Sequence, residues 1–355
     1  MKITSSHKKT KRIRKGRISL RPFFLVACFI LIMTSSGYCD LASDLNRKGL
    51  AKMKEKNYRE AIVYFESAHK ANINNRTIQK NLSAAYHYMA SKDSQNKAWI
   101  EAIRHEKLAL RFDSNNDRIN KQLSIYYNNY ALEQAAKGNF KFGVENLKYA
   151  LKYSPKAMDV RKNLYYVTIK YARYLSEKKN SHKAIAEAKA AIKLLPMETE
   201  AYIFFGDLYY KNDRFTDSLK YWNKALKIDP KNKELSERVE KLKREKTVEG
   251  DFDTKKKRFF KIRYDKELKD EYVKAISDIL DDARASVRRE FNLTTTDTIP
   301  VIVYQAEEFY GATAQAHWTQ GLYDGKIRIK EQDISRTDKT LRRILYHEYA
   351  HAVLY

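Results

Sequence analysis

The sequence has 355 residues and a formal net charge of +26, a length with room for about two domains. A 43% apolar and 12% aromatic content excludes disorder throughout, and two cysteines exclude a disulfide scaffold. Ten glycines and five prolines are too few for a turn-rich all-β sandwich or barrel. The excess of positive charge raises the question of nucleic acid, and its position along the chain decides it.

Residues 1–21 hold nine basic side chains and no acid, followed by the uncharged apolar run Phe23 to Met33 and then Thr34-Ser35-Ser36-Gly37-Tyr38-Cys39. A basic start, a short apolar core and small residues at Gly37 and Cys39 make 1–39 a secretory signal peptide. The apolar run falls short of the ~20 residues that span a bilayer; an uncleaved signal would leave a membrane-anchored form. Bulky Tyr38 fits lipidation of Cys39 poorly. The expected location is therefore the bacterial periplasm, the cell envelope or the exterior, where nucleic acid is not the expected ligand. Cleavage would also remove both cysteines.

Residues 41–245 repeat. The phrases Ala68-His69-Lys70, Ala109-Leu110-Arg111, Ala150-Leu151-Lys152, Ala191-Ile192-Lys193 and Ala225-Leu226-Lys227 recur at intervals of 41, 41, 41 and 34. An earlier marker, Leu82, Leu123, Leu164 and Phe205, recurs every 41. A fixed period of this size signals stacked supersecondary units, each burying its neighbour's apolar face. The last unit reads Tyr202, Phe205-Gly206, Tyr209, Ser218, Trp222, Ala225 and Pro230. It resembles the tetratricopeptide repeat, a ~34-residue helix–turn–helix. The seven extra residues of units two to four are close to two helical turns, so they should lengthen helices and leave the stacking intact.

The resemblance implies a superhelix whose concave wall is formed by the first helix of each pair. Before the leucine marker stand Lys80-Asn81, Lys121-Gln122 and Lys162-Asn163, which by resemblance face the groove. Ammonium groups beside amides suit a protein or peptide partner with acidic or carboxylate groups; the abundance of Lys and Asn in this sequence offers chance recurrence as the alternative. Residues 40–250 carry 42 basic and 26 acidic side chains, against 19 and 18 in 251–355. The field of the mature chain thus belongs to the repeats, and contact with an anionic envelope surface is a further expectation.

Glu234 to Lys246 reads as a capping helix, with Leu235, Val239 and Leu242 at helical spacing. The stretch 246–258, with Gly250 and the run Lys255-Lys256-Lys257-Arg258, reads as a linker. Beyond it, in 259–355, strand patterns (259–264, 299–304, 322–329) alternate with helical ones (268–291, 305–313, 337–355). The expected fold is mainly α, a helix–turn–helix superhelix followed by a truncated α+β zincin-like domain.

The last predicted helix holds Leu345-Tyr346-His347-Glu348-Tyr349-Ala350-His351-Ala352-Val353. Histidines at i and i+4 lie ~40° apart around a helix and can share one metal ion, with Glu348 beside the first to take a proton from water. Gly321-Leu322-Tyr323-Asp324-Gly325-Lys326-Ile327, followed some way on by His347-Glu348-Tyr349-Ala350-His351, is similar to the peptidase MA-like branch of the gluzincin zinc peptidases. The resemblance implies His347 and His351 as zinc ligands, Glu348 as general base, and an edge strand at Lys326, Ile327, Arg328 and Ile329 that pairs with extended substrate. His317 is expected to be a surface or packing residue.

Gluzincins take a third ligand, a Glu, from a helix downstream of the second His, and this sequence stops four residues after His351. Its end at Val353-Leu354-Tyr355 reads as an interruption of the domain. Two functions are therefore expected: an exported zinc metallopeptidase whose repeats recruit partner or substrate, or an exported interaction scaffold with an inactive peptidase remnant.

Overall fold

A computed structural model describes residues 40–292, 298–313, 321–336 and 338–354. The signal-peptide reading of 1–39 and the reading of His317 lie outside these residues. Among the described residues no helix is long and apolar enough to cross a membrane. One compact unit ends at Lys170 and a second begins at Tyr171.

In the first unit, helices α1 (40–54) and α2 (Tyr58–Ala71), α3 (Arg76–Gln95) and α4 (Trp99–Phe112), and α5 (Asp117–Ala136) and α6 (Phe140–Tyr153) form successive hairpins. Helix α7 (Met158–Glu177) follows. Asn57, Asn75 and Asn116 open α2, α3 and α5, each side chain accepting from a backbone N–H of the first turn; this satisfies donors that the helix cannot use itself. The marker residues of the sequence are core: Ala61, Phe65, Ala68, Leu82, Ala109, Leu123, Leu147 and Ala150 are fully buried. Small residues are required where helices meet. A Cβ at Gly49 would lie 2.5 Å from the Phe65 ring.

The backbone carries the same period as the sequence. Lys56, Lys97, Gly138, Lys179 and Asp213 all have positive φ, between 54° and 85°. They fall at one position in the turn inside each hairpin, separated by the same 41, 41, 41 and 34 residues. The left-handed conformation costs a residue with a Cβ roughly 1–2 kcal/mol, so the three lysine turns are set by the packing of their helices and not by local preference. The extra residues lengthen the first helix alone. Helices α3, α5 and α7 have 20 residues where α9 has 12, while α2, α4, α6, α8 and α10 all have 14.

The second unit holds α8 (Ser181–Leu194), α9 (Glu200–Lys211), α10 (Phe215–Ile228) and α11 (Lys233–Glu249), then a five-stranded sheet with four further helices. Gly206 on α9 faces Trp222 on α10 so closely that a Cβ there would sit 2.0 Å from the indole. The expected cap is α11, whose Leu235, Val239 and Leu242 pack on Phe215 and Trp222.

The sheet consists of β1 (Asp253–Lys256), β2 (Phe260–Tyr264), β3 (Ile299–Tyr304), β4 (Gly321–Tyr323) and β5 (Ile327–Lys330), in the order β1-β2-β3-β5-β4. Strands β2, β3 and β5 are parallel, while β1 and β4 run antiparallel to their neighbours at the two edges. Helices α12 (Asp270–Phe291) and α15 (Asp338–Leu354) cover one face, burying Phe260, Ile262, Val301, Val303, Ile327 and Ile329. Helix α13 (Ala306–Thr313) packs on the other, over Ile302 and Tyr304. The short α14 (Glu331–Arg336) leads from β5 towards α15.

The stretch 246–258 is no linker. Helix α11 continues to Glu249, and Asp253–Lys256 pairs with β2 through backbone hydrogen bonds, which leave lysines free to lie at a sheet edge. The apolar stripe of α11 continues past Leu242 as Glu245 and Glu249, both fully buried. Their partner is Arg328 in β5, also fully buried: Nη2 donates to Glu245 Oε1 at 2.7 Å and Nη1 to Glu249 Oε1 at 2.9 Å. Arg328 Nε reaches Asp324 Oδ1 at 3.0 Å, and Tyr304 Oη donates to Glu249 Oε1 at 2.5 Å. Arg263 Nη1 adds a bond to Glu249 Oε2 at 2.8 Å, and Tyr210 Oη one to Glu245 Oε2 at 2.9 Å. Within this unit the last hairpin, its cap and the sheet are one packed body.

Removing one partner of a buried charge cluster leaves the others uncompensated, at a cost of about 3–5 kcal/mol. Arg328→Met should therefore destabilise the C-terminal unit by about that amount, read as a lower denaturant midpoint by Trp222 fluorescence. An unchanged midpoint would mean that Glu245 and Glu249 find other partners.

Candidate functional site

Two places carry the chemistry expected from the sequence, one in each unit. On the first-helix face of the N-terminal unit, Lys80, Lys121 and Lys162 are all exposed, and each is followed by a half-buried amide. Those amides serve the fold before any ligand. Asn81 Nδ2 donates to Asn46 Oδ1 and Asn163 Nδ2 to Asn128 Oδ1, each at 2.8 Å and across 35 residues. The equivalent of Asn46 and Asn128 in the intervening repeat is His87, which binds Glu106 Oε1 at 2.7 Å; Gln122 remains half-buried. Two of the three expected ligand-facing amides, Asn81 and Asn163, thus tie first helices together, with the ammonium groups left at the surface.

Lys121 lines a groove of about 710 Å³ between α5 and the start of α7, together with Ile125, Asn128 and Lys156. Asp117 and Asp159 line it too, so its charge is mixed. Ile125 and Tyr166, one turn beyond Lys121 and Lys162, are exposed apolar surface on the same helices.

In the C-terminal unit, α15 holds His347, Glu348 and His351. Leu341, Ile344, Leu345 and Tyr349 anchor the helix in the core, with Tyr349 edge-on to Phe260 of β2 at 6.0 Å. This orientation leaves His347 exposed, His351 half-buried and Glu348 buried. The two imidazole Nε2 atoms lie 3.2 Å apart. Two nitrogens each 2.0–2.1 Å from one tetrahedral ion would be about 3.3 Å apart, so the pair has the spacing of two ligands on one zinc. Burial raises the Glu348 carboxyl above the ordinary carboxylate range, against the opposing pull of His347 and His351. Among the described residues, no third His, Cys, Asp or Glu joins them in a metal-binding group. The donor set there is two imidazoles, with the Glu348 carboxylate next to it in sequence but outside it.

The strand expected to receive substrate is displaced by one. Lys326, Ile327, Arg328 and Ile329 belong to β5 and its approach, and β5 is hydrogen-bonded to β3 on one side and β4 on the other. It has no free edge. Lys326 and Arg328 point into the buried charge cluster, and Ile327 and Ile329 into the core. Among the described residues, the outer strand beside α15 is β4. Its Gly321 lies against the helix, where a Cβ would stand 2.8 Å from Ile344 Cγ2 and 3.0 Å from Glu348 Oε1. A glycine in a strand marks such a close approach, and Gly321 is its sequence signal.

Residues 199–232 match the tetratricopeptide repeat family. Among solved structures, a tetratricopeptide repeats protein of Bacteroides fragilis is 17% identical, with 57% of this chain and 97% of that one covered, at a TM-score of 0.38. A thermophilic tetratricopeptide protein of Thermus thermophilus is 20% identical over 57% of this chain and 98% of its own, at a TM-score of 0.23. The protein pilF of Pseudomonas aeruginosa is 18% identical over 59% and 88%, at 0.27. No curated protein matches the chain. The chain therefore carries a tetratricopeptide repeat at 199–232, and the hairpins before it share its left-handed turn position and its small-residue packing.

Proposed function

We propose that this is an exported tetratricopeptide repeat protein whose repeats bind a protein or peptide partner and whose C-terminal unit carries zinc-dependent peptide hydrolysis on α15. Partner binding rests on the repeat array and its groove at Lys121. Hydrolysis rests on one observation, the 3.2 Å separation of the His347 and His351 Nε2 atoms beside buried Glu348. His347 and His351 would hold the ion, and zinc bound there supplies a Lewis acid for a peptide carbonyl. Glu348, buried beside them, is the acceptor of a proton from attacking water in this reading, which its carboxyl raised by burial supports. Strand β4, outermost in the sheet among the described residues, lies beside these groups, where an extended peptide can add as a further strand. A scaffold without catalysis is the second reading, favoured by the match of residues 199–232 to the tetratricopeptide repeat.

Zinc titration against a chromophoric chelator separates the two. His347→Ala should weaken zinc binding by about tenfold or more, and Glu348→Gln should retain zinc while lowering peptide hydrolysis by about 10²–10⁴-fold. Absence of zinc binding by the wild-type chain would leave the scaffold reading.

For the groove, replacing Lys80, Lys121 and Lys162 together by Ala should weaken a fluorescein-labelled oligoglutamate peptide by about tenfold, since exposed charges contribute up to ~1 kcal/mol each. Equal anisotropy titrations for both proteins would show that these lysines take no part.

Export is supported by the basic, apolar and small-residue order of 1–39. The mature protein should then begin at Asp40, as read by N-terminal sequencing of material recovered outside the cytoplasm; an intact Met1 there would show an uncleaved anchor.

A further inference from the structure

Within the C-terminal unit, a cavity of about 600 Å³ opens between the turn after α7, the end of α9 and the β1–β2 hairpin. Lysines reach it from all three. The turn supplies Lys179, the end of α9 supplies Lys211, and the hairpin supplies Lys256, Lys257 and Lys261. Two carboxylates, Glu177 and Asp213, share the lining, which leaves a formal excess of three positive charges.

Asp213 is already engaged. It binds Lys261, and Lys326 Nζ and Arg263 Nη1 stand 3.5 Å and 3.9 Å from its Oδ1. Although burial pushes its carboxyl up, these cations outweigh it and hold Asp213 below the ordinary range. It therefore has little charge left to offer the remaining lysines. The sheet register adds to the imbalance by setting Lys256 directly opposite Lys261. Like charges facing each other across an antiparallel pair are destabilising. Lys256 lines the cavity. Among the described residues no carboxylate pairs with Lys211, Lys256 or Lys257.

We propose that this cavity binds a small soluble polyanion bearing two or more phosphoryl groups. Ammonium groups from three segments form a cage of point charges around one space, and the hydroxyls of Ser176, Ser181 and Thr298 on its walls add neutral donors. That combination suits tetrahedral groups with many acceptor oxygens. The volume falls in the ~300–1,000 Å³ range of small-molecule sites. A concave wall admits a compact ligand more readily than a flat lipid surface or an extended nucleic acid. This site stands apart from α15 and does not depend on the hydrolysis reading.

The probe is inorganic tripolyphosphate, titrated calorimetrically into the full chain at ~0.1 M salt with citrate as the comparison anion. Tripolyphosphate should bind with one-to-one stoichiometry and at least about tenfold more tightly than citrate. Lys256→Glu with Lys257→Glu should weaken it by at least about tenfold, as should Lys211→Glu. The control pair Lys148→Glu and Lys152→Glu, exposed on α6, lowers net charge equally and should change affinity less than about twofold. Lys211→Gln, a mild change at an exposed helix end, guards against loss of folding and should still weaken binding measurably. No heat with wild-type protein at ~1 mM ligand, equal losses in the control, or citrate binding as tightly would each overturn the proposal.

Discussion

The C-terminal unit depends on how Arg328 is neutralised. A guanidinium on an interior strand, fully removed from water, would be prohibitively costly alone. It is met by Glu245 and Glu249 from α11, by Asp324 from the β4–β5 turn and by Tyr304 from β3. These partners come from three elements, so the cluster forms only when cap helix, turn and sheet are assembled together. Its carboxylates hold the Arg328 charge firmly in spite of desolvation. Asp324 behaves alike from the other side: burial raises its carboxyl, yet Arg328 and Lys241 bring it below the ordinary range. Such a group stabilises the fold above its unfolded pKa and stops doing so as pH falls through its folded one.

This arrangement explains why one helix can serve two surfaces. The N-terminal half of α11 closes the last hairpin through Leu235, Val239 and Leu242, as a terminal repeat requires. Its C-terminal half then replaces apolar residues with carboxylates that receive the sheet. The polar face of β5 thus packs on a helix, while its apolar face carries α12 and α15. Alternation along β5 separates the two faces of an interior strand, not core from solvent.

The site on α15 inherits its geometry from the apolar face. Burial of Leu341, Ile344, Leu345 and Tyr349 fixes the helix rotation, which leaves His347 and His351 outermost and sets Glu348 beneath β4. Gly321 makes that approach sterically allowed. The ammonium-lined cavity on the far side of the sheet is built by register and turns, with no motif to announce it.

By itself the sequence determined the repeat period, the first-helix and second-helix marker positions, the capping helix and the His347-Glu348-His351 spacing. Each depends on intervals of three, four, 34 or 41 residues along the chain, and intervals are what a sequence records directly. The left-handed turns at Lys56, Lys97 and Lys179 are not legible in the sequence, because lysine carries no signature of positive φ. Only the tertiary structure decided that 246–258 is helix end and edge strand, that β4 and not β5 is the outer strand among the described residues, and that Asn81 and Asn163 tie repeats together. Strand order and amide pairing join residues that are distant in sequence, and a lysine or arginine on a strand looks the same whether water or a carboxylate awaits it. Arg328 became a buried anchor because the energy that decides its place lies in Glu245 and Glu249, about 80 residues away on another element.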